Sequence, residues 1–278
     1  MSPIFRAAAT ALFFAACFNT SSPTNAATAP APVKLATTVP TYADLVSLTL
    51  GSPVIVRATI IKAERLGNKD APDVAAGRAR LLMTAQINAA LIAPDAVPAM
   101  ISYLVELPLD ARGKVPKAKG AAVLLFLRPS ERPGQYSLVR AAAQLDADAQ
   151  VEATLRTIIT EARANTAPNV TGVGNAFRVP GSVPGEAESQ FFLTTASGRP
   201  VSLVVLSRPG QQRTVQLAVG DVIDDSAATI KPATLTWYRL ACFLPKSLPA
   251  RVGGDDLAAL ADDYALVLSR LGPCERRI

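Results

Sequence analysis

SPVIVRATIIKAERL, residues 52–66, is the stretch on which the architecture turns. Val54, Val56, Ala58 and Ile60 fall on one side of an extended chain, and Arg57, Thr59 and Ile61 fall on the other. Successive side chains of a strand point to opposite faces, so this alternation predicts a strand with one face in a core. The same period recurs in RARLLMTAQINAAL (78–91), with Leu81, Met83, Ala85 and Ile87 inward, and in AMISYLVELP (99–108). AAVLLFLRP (121–129) is apolar on both faces, which predicts a central strand. GQYSLVRAAAQL (134–145) supplies a fifth strand after a Pro-Gly turn. Five strands joined by loops predict a small closed antiparallel barrel over residues 41–145, of OB-like shape.

Beyond residue 145 the period changes. Val151, Leu155, Ile158, Ile159 and Ala162 recur at helical spacing behind Asp146 and Asp148, so residues 146–169 read as a boundary helix and linker. A second antiparallel sheet follows within residues 170–278. FFLTTASGRPVSLVVLS (191–207) reads as a hairpin and RTVQLAV (213–219) as another strand. The last helix is expected to start at Asp255 or Asp256, to bury Leu257, Leu260, Tyr264, Val267, Leu268 and Leu271, and to stop at Gly272-Pro273. The expected class is therefore β-rich α+β: an N-terminal OB-like barrel, a helix, then a second antiparallel sheet with a C-terminal helix. YADLVSLTL, ahead of the first strand, reads as a short helix or turn.

Composition removes several chemistries. The 278 residues are 50% hydrophobic and only 5% aromatic, and they contain no histidine. Without imidazole there is no Ser-His-Asp or Cys-His arrangement and no His-ligated metal. Three cysteines do not close a four-thiolate zinc site. No metal or organic cofactor is expected.

The N-terminus has the order of an export signal: Arg6, an apolar core from Ala7 to Phe18, then a polar tract ending in small residues at Ala26. Residues 1–26 are expected to be removed, and 27–40 to form a flexible lead-in. FAAC (14–17) also has the form of a lipobox, in which Cys17 carries lipid, so anchoring through Cys17 is the alternative to simple cleavage. Either way Cys242 and Cys274 remain as a pair in an oxidising compartment, and a disulfide between them is expected. That bond closes a loop of about 33 residues, worth roughly 3–4 kcal/mol on the chain-entropy model.

The formal charge is +6, with 28 Lys+Arg against 22 Asp+Glu. The one dense cluster is RGKVPKAKG, with Arg112, Lys114, Lys117 and Lys119, read as a solvated basic loop that an anionic envelope surface could meet. No aromatics interleave with these cations, so a nucleic-acid platform is not expected.

Two carboxylate clusters are the candidates for chemistry. In VPGSVPGEAESQFF (179–192), Glu186 and Glu188 are two apart, which on a strand points both to one side. Arg178, Arg199, Ser189 and Gln190 lie close by in sequence, and Glu186, Glu188, Gln190 and Arg178 form the candidate binding surface. DVIDD adds Asp221, Asp224 and Asp225. Paired carboxylates that face each other across a cleft can hydrolyse glycosidic bonds. Without histidine, Ser189 is not expected to be a nucleophile. GVGNAF (172–177) lacks the third glycine of a dinucleotide fingerprint and reads as a turn.

YADLV (42–46), LPLDARGKVPK (107–117), PGEAESQFFL (184–193), SRPGQ (207–211), WYRLACFLP (237–245) and LGPC (271–274) together resemble an uncharacterised family of exported alphaproteobacterial, especially sphingomonad-type, proteins. The resemblance implies a periplasmic or secreted location, and it carries no activity or catalytic residue with it. The expectation is an exported cell-envelope protein that acts by binding or structure on an unidentified protein or other envelope partner. Membrane attachment is expected only through a lipid on Cys17. The alternative is a cofactor-free hydrolase using Glu186 and Glu188, or Asp221, Asp224 and Asp225.

Overall fold

In the computed structural model the stretch at 52–66 forms strand β1 (Val54–Arg65), in the middle of a six-stranded antiparallel sheet. The structure describes residues 34–35, 38–220, 229–250, 252 and 256–278. The expected signal, Cys17 and the Asp221, Asp224 and Asp225 cluster lie outside the described residues. β1 pairs on one side with β2 (Arg78–Ile92) and on the other with β4 (Ala122–Pro129), and β2 pairs with β3 (Met100–Pro108). The fifth expected strand is two short ones, β5 (Tyr136–Leu138) and β6 (Gln144–Asp146), paired with opposite ends of β4. Between them the chain bends, with the Ala143 N–H donating to the Arg140 carbonyl at 3.0 Å.

The alternation in β1 is realised as written. Val54, Val56, Ala58 and Ile60 join Leu81, Met83, Ala85, Ile101, Tyr103, Val105, Val123 and Leu125 inside the curl of the sheet. β4 is buried on both faces, because Leu124 and Phe126 point outward against helices. The strands follow the Greek-key order β1–β2–β3–β5–β4 around the sheet, the order of a partly open OB-like shape. Closure differs from expectation. β3 and β5 meet only at the parallel bridge Ser102–Gln135, where the Ser102 N–H donates to the Gly134 carbonyl at 2.9 Å. No further ladder joins them among the described residues, so the barrel is not closed. The three residues of β5 are too few to seal the nine of β3, and the chain turns away after Leu138.

Three helices cover the outer face of this sheet. α1 (Tyr42–Leu50) starts with a capping box between Thr41 and Asp44. α2 (Ala149–Ala164) is capped by Asp148, whose carboxylate accepts from the Gln150 and Val151 N–H groups, and it ends at Asn165 in the left-handed region. Asp146, the other expected cap, instead lies in β6 and accepts from the Leu35 N–H at 2.7 Å. α3 (Leu235–Ala241) carries Trp237 and leads into Cys242.

The second sheet is a meander of β7 (Val170–Pro180), β8 (Ala187–Thr195), β9 (Val201–Ser207) and β10 (Thr214–Val219). GVGNAF, expected as a turn, lies within β7. The register slips beside Gly172 and Gly174, and a Cβ on Gly174 would stand 3.2 Å from Thr194 Cγ2, so glycine admits the neighbouring strand there.

α4 (Leu257–Leu271) lies on one face of this sheet, with Leu260, Tyr264, Val267 and Leu271 against Phe191, Leu203 and Val205. Leu257, expected inside, is exposed because it sits in the first turn beyond the sheet contact. Cys242 and Cys274 are disulfide-bonded, as expected. A third apolar cluster, built from Leu45, Leu48, Phe126, Leu155, Ile158, Leu235 and Tyr238, joins the two sheet-centred halves. No described helix is long and apolar enough to cross a membrane.

Candidate functional site

The unclosed seam between β3 and β5 forms a cleft of about 550 Å³. Its walls alternate apolar and polar: Leu82, Leu104, Tyr136 and Leu138 stand beside Ser102 and Ser137. Leu104 is 48% exposed although it lies mid-strand. Ser102 donates its N–H across the seam, and Leu104 and Glu106, two and four residues on, turn their main chain the same way. The Glu106 carbonyl is taken by Arg78 Nη2 at 2.8 Å, so the stretch of edge open to another extended chain is centred on Leu104.

One end of the cleft is held rigid. Arg80 makes a bidentate contact with Asp73 at 2.8 and 2.9 Å and donates to Glu106 Oε1 at 2.6 and 3.1 Å. Asp73 and then Glu106 hold the guanidinium protonated beyond its ordinary range, and Arg80 in turn depresses the Asp73 carboxyl. Tyr103 points inward and donates its hydroxyl to Gln144 Oε1 at 2.7 Å, with burial pushing its phenol up.

The candidate surface around Glu186 is divided by the pleat of the second sheet. Glu186 and Glu188 line one pocket of about 460 Å³, together with Phe177, Val179, Leu206 and Arg208. Glu186 closes the β7–β8 loop, its carbonyl accepting from the Gly181 N–H at 2.8 Å. A Cβ at Gly181 would lie 2.5 Å from Glu186 Cγ, so the close approach at that corner requires glycine. Gln190 shares the strand face of Glu188 but is buried, donating to Ser202 Oγ at 3.2 Å.

Arg178 faces the other way, toward α4. It donates to Asp263 Oδ2, which also accepts from Ser189 Oγ at 2.5 Å. Arg213 donates to Asp263 Oδ1 and to Asp262 Oδ2, each at 2.6 Å. Asp262 and then Asp263 raise the Arg213 pKa. The Asp263 side chain is 1% exposed and Ser189 is fully buried, so this network binds the helix to the sheet and is closed to a substrate. Arg199 is an exposed turn residue and joins none of these groups.

The basic loop between β3 and β4 is shaped by Asp110, whose Oδ1 accepts from the Arg112 and Lys114 N–H groups at 2.9 and 2.8 Å. Its far end is tied to β1, with the Gly120 N–H donating to the Ile60 carbonyl at 2.8 Å. That tie sets Lys117 and Lys119 beside Lys62 and Arg65 around a third pocket, of about 570 Å³. Arg112 and Lys114 lie outside that lining.

Sequence reasoning missed Asp263, Arg213, Lys62, Arg65 and the seam. Asp263 did leave a signal: it falls between Leu260 and Tyr264 on the helix stripe that faces the sheet. No protein-family model matches the chain, and no curated protein is similar to it in sequence.

Proposed function

We propose that this is an exported, non-catalytic binding protein of the cell envelope, acting in the periplasm or outside the cell, that takes up an extended peptide segment of a protein partner at the β3/β5 seam. The observation that carries it is the cleft of about 550 Å³ at an unpaired strand edge. Strand addition at such an edge draws affinity from main-chain hydrogen bonds and specificity from alternate side chains. Leu104, Tyr136 and Leu138 offer the apolar contacts, and Ser102 and Ser137 the polar ones. The Cys242–Cys274 bond and the signal-like N-terminus support the location.

The test is selection of displayed ten-residue peptides on the immobilised protein. Leu104→Pro removes the N–H on the seam side of an edge strand, where proline is tolerated. Selected peptides are expected to bind in the micromolar range and to lose about tenfold on Leu104→Pro, the equivalent of about one main-chain bond. Absence of enrichment, or binding indifferent to Leu104→Pro, refutes the proposal.

A cofactor-free hydrolase is the alternative, favoured by one observation: Glu186 and Glu188 line the same pocket. It requires release of reducing ends from envelope glycan that Glu186→Gln and Glu188→Gln each abolish.

A further inference from the structure

The pocket beside the basic loop differs from the others in charge. Lys62 and Arg65 come from β1, and Lys117 and Lys119 from the β3–β4 loop; Ile61, Val115 and Pro116 form its apolar wall. Arg112 and Lys114 stand in the same loop. Over residues 61–65 and 109–120 there are six cations (Lys62, Arg65, Arg112, Lys114, Lys117, Lys119) and two carboxylates (Glu64, Asp110), a net 6 − 2 = +4. The entire chain carries +6, so most of its excess charge is gathered at this end of the first sheet.

Little of that charge is compensated. Lys62 pairs with Glu64 at 2.9 Å. Arg65, Lys117 and Lys119 make no ion pair among the described residues. Elsewhere in the first sheet Arg80 pairs with Asp73 and Glu106, Arg78 with Glu106 and Arg57 with Glu152, while Arg128 donates to the Val139 carbonyl. Like charges held this close repel one another, and a neighbouring anion relieves that repulsion.

We propose that this pocket is a phosphate-binding site for the head group of an anionic phospholipid, docking the protein on a bilayer surface independently of any lipid on Cys17. Lysine ammonium groups on flexible stems suit a mobile phosphate better than a planar, bidentate partner. The pairing of a cationic rim with an exposed apolar side chain is the combination that favours a membrane interface, where Ile61 (37% exposed), beside the half-buried Val115, contacts the acyl boundary. The site lies apart from the β3/β5 seam, so failure of either proposal leaves the other standing.

The experiment is co-sedimentation of the full chain bearing Cys17→Ser, which removes any lipid anchor, with vesicles of phosphatidylcholine alone or mixed with phosphatidylglycerol. Binding is expected only to the anionic vesicles, and is expected to weaken between 50 and about 300 mM salt as surface charges are screened. Lys117→Ala/Lys119→Ala is expected to weaken it about 30-fold, from roughly fivefold per lysine at an anionic surface. Arg199→Ala, in the exposed turn of the second sheet, serves as the control and is expected to leave binding unchanged. Equal binding to neutral vesicles, no binding to anionic ones, or an unaffected double variant overturns the proposal. A competition arm with soluble inorganic pyrophosphate separates the sources: saturable pyrophosphate binding without vesicle binding assigns the site to free phosphate and overturns the lipid.

Discussion

Asp263 is the residue whose removal tests the packing of the second half most directly. Its carboxylate is 1% exposed and is held by Arg178 and Ser189 of the sheet it faces and by Arg213, just ahead of β10. Asp263→Ala leaves the Arg178 guanidinium, itself only 18% exposed, with just the exposed Asp256 at 3.4 Å as a carboxylate partner, and leaves the buried Ser189 hydroxyl without its acceptor. Breaking a buried ion pair from one side costs about 3–5 kcal/mol, because the stranded charge stays desolvated. At roughly 2–4 °C per kcal/mol for a chain of this size, Tm falls by roughly 6–20 °C.

Trp237 is the only tryptophan, and its indole N–H donates to the Leu271 carbonyl at 2.7 Å at the end of α4. Its fluorescence during urea unfolding therefore reports on helix docking. Arg178→Leu/Asp263→Leu removes both charges together, and Arg213 keeps Asp262 at the exposed rim. The double variant is expected to lie at least about 1 kcal/mol closer to wild type than the sum of its single variants, the size of coupling found for residues in contact. A cost below about 1 kcal/mol for Asp263→Ala, or strict additivity in the double variant, refutes the account of a buried charge network.

Reduction of the Cys242–Cys274 bond, or Cys242→Ser/Cys274→Ser, is expected to destabilise the protein by about 3–4 kcal/mol, from the entropy of a loop with a sequence separation of 32. Alkylation mass shifts with and without reductant check the bond itself, and two reactive thiols in the unreduced protein contradict it. Asp44 gives the pH test. Burial opposes its ionisation, but hydrogen bonds from the Thr41 and Arg277 N–H groups and the Thr41 hydroxyl outweigh that and hold its pKa below the ordinary value. A depressed carboxyl contributes stability that is present above the unfolded pKa of about 3.9 and lost as pH falls through the folded one. The protection factor of the Arg277 amide, taken relative to intrinsic exchange at each pH, is accordingly expected to be high at about pH 6 and to fall below about pH 4; a protection factor unchanged down to about pH 2 contradicts the assignment.

Much of the fold was legible because its strands are half-buried. Burial alternates residue by residue from Val56 to Ile60 in β1 and from Arg78 to Ala85 in β2, and in β4 both faces are apolar because helices cover the outer one. The disulfide followed from counting cysteines. What could not be read was anything that depends on distant strands meeting. The seam exists because a three-residue β5 faces a nine-residue β3, and no local period encodes that mismatch. Lys62 and Arg65 joined the basic loop only through the pairing of Ile60 with the Gly120–Ala121 corner. Glu186 and Glu188 line one pocket, but Glu186 lies in the β7–β8 loop one residue ahead of β8, so the strand spacing that suggested the pair is not what brings them together. Arg178, by contrast, sits one residue out of phase with Val179 and Phe177, and the pleat turns it to the opposite face.

The strand order also sets the two halves different tasks during folding. Every pairing in the second sheet joins neighbours in sequence, so each step closes only a short loop. The β1–β4 ladder instead brings Val54 to Leu127, a separation of 127 − 54 = 73 residues. Closure entropy grows as the logarithm of loop length, and going from a hairpin loop to one of this size adds about 2 kcal/mol to the search. Non-local pairing of this kind slows folding. The half that bears the seam and the cationic pocket is thus the half whose assembly waits on a remote segment, and until β4 arrives the long β1–β2 hairpin exposes an apolar edge to whatever chain is nearest.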